Sequence, residues 1–349
     1  MKWLYNIFMF QPQYTLSQKL LGNVTQIERL YGQIEGLKIP KKLELNLQRD
    51  NLIQSSYVSN SIEGNPMSLA EVTNLLLGDR VPVNRDEKEV KNYYNLLQNL
   101  ASFLKTKIDV ELIKKVHFSL LTGVKNEIAG KIRNTKVVVG KYVGESQDAM
   151  SLEIKHEPPY HQQEAIEKAL SELFDWSLKE TNLPISIKAG IIHHHFVYIH
   201  PFVDGNGRVC RLLTALVFLQ NSYWINKYFV LDDYYDIDRI LYSDKLHSAD
   251  AGNKTEWLEY FTDGVKYSLQ GALARIKEAR LKLNVEERPS NKEREVLDII
   301  TKRGQLTSSD LVEILKVSRQ QAHNLLKGLV DKGLVDKKGS TKSSYYFLK

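Results

Sequence analysis

His200-Pro201-Phe202-Val203-Asp204-Gly205-Asn206-Gly207-Arg208-Val209-Cys210-Arg211-Leu212-Leu213 is the stretch on which the fold turns. Proline cannot continue a helix, so Pro201 ends the apolar one running to Ile199, and Gly205-Asn206-Gly207 opens the next. Two glycines beside an asparagine permit positive φ, so successive backbone N–H groups can point into one concave anion site at a helix N-terminus. The stretch therefore predicts a phosphate cradle between two buried helices. Arg208 and Arg211 stand one turn apart and can both face it as bidentate partners for phosphate oxygens. Asp204, beside the cradle, is suited to hold a Mg²⁺ that bridges those oxygens. His200 lies at the rim, where an imidazole can take a proton from an attacking hydroxyl, a role typically worth about 10² to 10⁴ in rate.

Outward from this loop, apolar residues recur at helical spacing over Leu20–Leu37, Leu43–Ile62, Leu69–Leu77, Glu89–Leu104, Val110–Leu121, Gln162–Leu178, Ile185–Tyr198 and Asn206–Asn221. The expected class is mainly α. Between Ile132 and Ile154 the pattern changes to a β-branched run, Thr135 to Gly140, then Gly144 and a second extended stretch from Ser151, which predicts a β-hairpin lid closed off by Pro158-Pro159. Arg280 to Asn291, charged and containing Pro289, is expected to link the helical body to a tail. In that tail Glu293–Lys302, Ser308–Leu315 (capped by Thr307) and Arg319–Lys332 (capped by Ser318, ended by Gly333) are predicted helices. Leu334–Lys338 and Ser344–Leu348 flank a turn as a hairpin. Three helices and a hairpin resemble a winged helix-turn-helix domain, with Arg319, Gln320, His323 and Asn324 on the start of its third helix, where such domains meet DNA. The expected divisions are 1–100, a helical N-terminal region; 101–280, a catalytic core; and 290–349, the winged helix.

Hydrophobic residues at 42% and charged residues at 26% describe an ordinary globular chain and exclude a disordered or fibrous one. Residues 290–349 hold 12 Lys and Arg against 7 Asp and Glu, so the tail carries +5 of the total +6 and is the part that an acidic or nucleic-acid partner would find. Cys210 is the sole cysteine, which rules out an intramolecular disulfide and a cysteine-based zinc site and fits a reducing cytoplasm. No run approaches the length of a membrane span, and neither export nor insertion is expected. His193-His194-His195 cannot all serve one ion, because consecutive helical residues diverge by about 100°; packing or hydrogen-bonded roles are expected instead.

The quoted loop resembles the Fic/Doc signature, H-P-F-x-[D/E]-G-N-G-R-x-x-R, and matches it at every fixed position. The resemblance implies a Fic-type helical bundle with a β-hairpin flap, and a protein adenylyltransferase that moves AMP from ATP to a Tyr, Thr or Ser hydroxyl of a target protein or of itself. His200 is then the general base and Asp204 the Mg²⁺ ligand. Asn206, with the backbone of Gly205 and Gly207, would bind the α- and β-phosphates, and Arg208 and Arg211 the β- and γ-phosphates. The flap would align the target by strand addition. The aromatic residues Tyr234, Tyr235, Tyr242 and Trp257 follow where the family builds its adenine pocket; core packing is the expected role for each, with Tyr242 the first candidate for a base contact. Far upstream, Ser59-Asn60-Ser61-Ile62-Glu63-Gly64 is similar to the family's inhibitory motif, [S/T]-x-x-x-E-[G/N], which implies that Glu63 pairs with Arg211 and that Ser59 and Gly64 support it. A homodimer is a further expectation. The alternatives are AMP removal at the same site, with Glu63 orienting a water, and a DNA-binding regulator whose helical body only senses nucleotide.

Overall fold

The computed structural model describes residues 10–37, 39, 41–78, 80–143, 151–225, 227–286, 289–339 and 344–348. The chain folds as two compact units, residues 1–275 and 276–349, so the first hundred residues share a unit with the segment from His200 to Arg211.

The centre of the first unit is a helix pair, α7 (Ile185–Ile199) and α8 (Asn206–Gln220), packed against each other. Both are buried around nearly their whole circumference, the mark of a bundle's central helices. Around them lie α2 (Lys41–Ile62), α4 (Arg85–Gln98), α5 (Val110–Leu121), α6 (Gln163–Lys179) and α10 (Arg239–Ser248), with α1 (Gln18–Glu35), α3 (Leu69–Leu77) and α9 (Asp232–Ile237) completing the shell. Starts are fixed by side-chain caps: Asn84 accepts from Glu87 N, Asp109 from Leu112 N, and Ser68 forms a reciprocal box with Glu71. Trp257, on the long α11 (Thr255–Glu286), donates Nε1–H to Gly190 O at 2.8 Å, which ties α11 to the middle of α7.

The predicted hairpin is present with shifted bounds. β1 (Val139–Val143) pairs antiparallel with β2 (Ser151–His156), Val143 opposite Ser151 and Gly140 opposite Ile154. Thr135 to Val138 lie outside the strand, and Gly144, the expected turn glycine, lies outside the described residues. The expected linker start at Arg280 is corrected, because α11 continues to Glu286. The segment predicted as one helix to Leu104 ends at Gln98 and is followed by a 3-10 turn, Leu100–Phe103.

The second unit has the predicted order: α12 (Asn291–Arg303), α13 (Ser308–Leu315), α14 (Arg319–Asp331), then β4 (Val335–Lys338) and β5 (Tyr345–Leu348). A two-residue strand that the sequence did not announce, β3 (Leu306–Thr307), pairs with β5 and makes the sheet order β3-β5-β4. Val296, Ile300, Leu311, Leu326 and Tyr346 are among its core residues. Arg319, Gln320, His323 and Asn324 are all exposed on the first turns of α14. Among the described residues no helix is long and apolar enough to cross a membrane.

Candidate active site

The loop from α7 to α8 is built around two left-handed residues. His200 caps α7 at φ 51° and Gly205 precedes α8 at φ 82°. A β-carbon is disfavoured there, so His200 persists only because its surroundings hold it. Arg133, 2% exposed, supplies that hold: Nε donates to His200 O at 2.6 Å, Nη2 to Ile199 O at 3.1 Å, and its own N–H to Pro201 O at 3.0 Å. From the other side His117 stacks on Phe202 with ring centroids 3.7 Å apart, and its Nε2–H donates to Asp204 O at 3.0 Å. Its Nδ1 accepts from Gly130 N; burial keeps this ring neutral, with the pKa lowered to about 4. Arg133 and His117 carry no motif of their own and the sequence did not single them out.

The side chain of Asn206 closes the loop. Its Oδ1 accepts from Phe202 N and its Nδ2 donates to Phe202 O, each at 2.9 Å. These bonds engage Oδ1 and one of the two Nδ2 hydrogens, leaving the backbone N–H and the second Nδ2 hydrogen of Asn206 for an anion. No side chain caps the N-terminus of α8, so the amides of its first turn present the partial positive charge expected of an open helix start.

Four charged residues converge on that helix start: Arg208, Arg211, Glu63 and Asp204. Arg208 is 2% exposed, with Nη1 3.3 Å from Glu89 Oε2 and Nη2 3.4 Å from Asp204 Oδ1. Its Nε and Nη1 have no hydrogen-bond partner among the described residues, a costly state for buried donors that an anion would relieve. Arg211 donates Nε–H to Ser59 Oγ at 2.7 Å and Nη2–H to Ser59 O at 2.9 Å and Glu63 Oε1 at 2.7 Å. Gly64, with φ 88°, turns the chain away just past Glu63. The Glu63 carboxylate also lies over Gly207, where an added β-carbon would collide with Oε1. Asp204 Oδ2 meets Lys125 Nζ at 2.5 Å, and Oδ1 accepts from Gly205 N at 2.6 Å. Burial alone would raise this carboxyl, but Lys125, Arg208 and the Gly205 N–H outweigh it and keep it ionised below its usual range. Asp204, Arg208, Glu63, Glu89 and Lys125 line a cleft of about 480 Å³.

His200 points its Nδ1 at Val197 O, 3.3 Å away, which places the ring proton there and leaves Nε2 as the basic atom. Burial first, then neighbouring His156 and Arg133, lower its pKa to about 3, so the ring is neutral at physiological pH. Tyr242 takes the packing role expected of this aromatic group. It is 7% exposed, its ring stacks on Tyr235 at 4.3 Å, and its hydroxyl donates to His193 Nε2, whose Nδ1 side meets Thr214 Oγ1. Thr214 already donates to Cys210 O, which fixes these donor directions. Tyr242 therefore packs the core behind Arg211. His194 bonds Asp250 and Lys254, and His195 stacks on Phe10 at 4.0 Å, so the triple histidine diverges as its helical spacing requires.

Residues 107–218 match the Fic/DOC family model, and residues 290–343 match that of the MarR family. The chain is 27% identical over 217 residues to protein adenylyltransferase fic-1 of Caenorhabditis elegans, covering 60% of this chain and 39% of that protein. It is 28% identical over 218 residues to protein adenylyltransferase Fic of Nematostella vectensis, covering 60% and 46%. The chain thus spans less than half the length of these curated relatives. A crystal structure of a Fic family protein from Desulfovibrio desulfuricans G20 superposes with a TM-score of 0.62 at 22% identity, covering 97% of this chain and 98% of that one. Residues 107–218 form a Fic/DOC family domain, and the tail is a MarR-like winged helix.

Proposed function

We propose that this Fic/DOC domain transfers AMP from ATP to a hydroxyl of a protein, and that Glu63 holds it in an inhibited state. The observation that supports this most is the Glu63 carboxylate on Arg211 and over Gly207, at the uncapped start of α8. An anion already sits where helix amides and two buried guanidinium groups converge, which is the environment a polyphosphate would seek. The relatives named protein adenylyltransferase point to the same chemistry.

In the reaction the target hydroxyl attacks the α-phosphorus while His200 Nε2 takes its proton. The new ester bond forms as the bond from the α-phosphorus to the bridging oxygen breaks, and pyrophosphate leaves. Arg208 and Arg211 neutralise charge on the departing phosphates. The Asp204 carboxylate, ionised and already facing a cation in Lys125, fits Mg²⁺, which takes one or two carboxylates plus phosphate oxygens. Bound there, the ion would supply charge neutralisation on those oxygens. The paired flap strands offer an edge on which an extended target segment would lie.

The Glu63→Gly variant, incubated with α-labelled and γ-labelled ATP in parallel, is the direct test. Label transferred from the α position alone is expected. The gain over the unaltered chain should be on the order of 10²-fold, the usual worth of restoring one charge-stabilising donor. Label from the γ position alone would mean phosphorylation, and no gain would remove Glu63 from its inhibitory role.

We further propose that the tail binds DNA through α14. Its MarR-family match and the shared exposure of Arg319, Gln320, His323 and Asn324 support this. In a gel shift with residues 290–349, retardation should weaken steeply as salt rises. Retardation that Arg319→Ala leaves unchanged would take α14 out of the contact.

A further inference from the structure

Outside the anion site, the last residue of β2, the last turn of α10 and the turn after it bring three titratable side chains together, with His194 of α7 beside them. His156 Nδ1 lies 2.7 Å and His247 Nδ1 3.1 Å from the same oxygen, Asp250 Oδ2. The other oxygen, Oδ1, meets His194 Nε2 at 2.9 Å. Behind His194, Lys254 Nζ approaches Nδ1 at 2.9 Å. The ligand atoms of His156, His247 and Asp250 all lie within 4.8 Å of one another.

Proton accounting separates these groups into two roles. Lys254 can only donate, so His194 accepts at Nδ1 and donates Nε2–H to Asp250; its ring is satisfied and neutral. His156 is different. Its Nε2 faces the carbonyl oxygen of Tyr198 at 3.0 Å and its Nδ1 faces a carboxylate, and both of these can only accept. The ring is only 4% exposed, and the His247 ring stacks against it 5.1 Å away. A divalent cation among Asp250 Oδ2 and the two Nδ1 atoms would face three ligand atoms that already converge on one point. His156 then keeps a single proton, on Nε2, donated to a backbone carbonyl; that is the outer contact metal-bound histidines ordinarily make. His194 supplies the matching outer contact to the ligating carboxylate.

We propose that His156, His247 and Asp250 form a binding site for a divalent transition ion of the Zn²⁺ class. Two imidazoles and one carboxylate are a borderline nitrogen–oxygen set of the kind that takes Zn²⁺, with the fourth position left to water. Bond lengths of about 2.0–2.1 Å in a tetrahedron put neighbouring ligand atoms about 3.3 Å apart, so the observed separations of 2.7 and 3.1 Å need only sub-ångström adjustment. The side chains of His247 and Asp250, 12% and 22% exposed, give the ion a route in. The ion would clip the end of the hairpin to α10, and the His156 ring lies 6.4 Å from that of His200. The site uses none of the groups assigned to phosphate binding, so it stands or falls apart from the transfer reaction.

The test uses the full chain, stripped with EDTA and desalted, then titrated with Zn²⁺ against a chromophoric chelator and separately with Co²⁺. One Zn²⁺ per chain is expected, with the visible absorption of four-coordinate Co²⁺ and a Zn²⁺-dependent rise in melting temperature. His247→Ala, which removes the most exposed imidazole of the set, should weaken binding by at least about 100-fold, the upper end of what even an outer-shell loss costs, and abolish the melting shift. His161→Ala, at an exposed histidine elsewhere, should change nothing. Zn²⁺ held equally by the His247→Ala variant, equal weakening by His161→Ala, or a Co²⁺ complex without the four-coordinate spectrum would each overturn the site; the last needs no variant to fold.

Discussion

Replacing His200 with alanine in the Glu63→Gly background is expected to cut AMP transfer by about 10² to 10⁴ while ATP still binds. The two functions separate because the groups separate. In the proposed reaction, phosphate contacts fall to Arg208, Arg211 and the amides of the first turn of α8, whereas the imidazole, bonded backward to Val197 O, would use Nε2 for the incoming hydroxyl. Alanine at φ 51° also adds backbone strain, which could blur the result. His200→Asn meets that difficulty, since asparagine visits the left-handed region readily and still lacks a base. Transfer should fall alike in both variants, and ATP affinity by calorimetry should stay close to that of the parent. Equal loss of transfer and of ATP affinity in the asparagine variant would make this histidine a structural one.

Acid is expected to destabilise the first unit before most carboxylates titrate. His117, His193, His194, His195 and His200 are all displaced downward, each with burial as the leading cause, to about 4, 4 and 3 for His117, His194 and His200. A base whose folded pKa is depressed is neutral in the fold and charged in the open chain below about 6.5, so unfolding takes up protons and stability drains as pH falls through that value. By pH 5 each such ring costs about 2 kcal/mol relative to pH 7.5. His117, His194 and His200 alone then remove about 6 kcal/mol. Asp232 works the other way: burial raises it to about 6 against the pull of Arg211 and Ser55, so its protonation in the fold returns about 1 kcal/mol over the same range. The net loss is a large part of a typical total of about 5–15 kcal/mol. Thermal melts followed by circular dichroism should show the main transition lower by about 10 °C or more at pH 5 than at pH 7.5. An unchanged midpoint would mean that these rings are not held neutral.

Much of the bundle was legible because its helices advertise their ends. Leu69–Leu77, Val110–Leu121 and Ser308–Leu315 are found with the bounds the sequence predicts, and α3, α5 and α13 each have a Ser, Asp or Thr cap. The end of α11 was not legible, since a charged run with a proline beyond it has the composition of a linker although its backbone stays helical to Glu286. The tyrosine- and aspartate-rich stretch that forms α9 and α10 shows no clean apolar period, and β3 is too short to show one. In the site, the residues of the signature were visible as a contiguous pattern. Its supports were not: Arg133 and His117 act through backbone carbonyls and a ring face, which leave no spacing to read. The commitment of the Asn206 side chain to Phe202 is likewise a matter of loop geometry. Lys125 on Asp204 joins residues 79 positions apart.

The guanidinium of Arg133 also reaches Thr135 O at 2.7 Å, so one planar group holds the carbonyls of Ile199 and His200 together with the chain that leads into the hairpin. A rigid fork of this kind transmits displacement instead of absorbing it. Tilting the hairpin at its root would swing the imidazole with it, and whatever chain lies along that hairpin is measured off against the base by the same ruler.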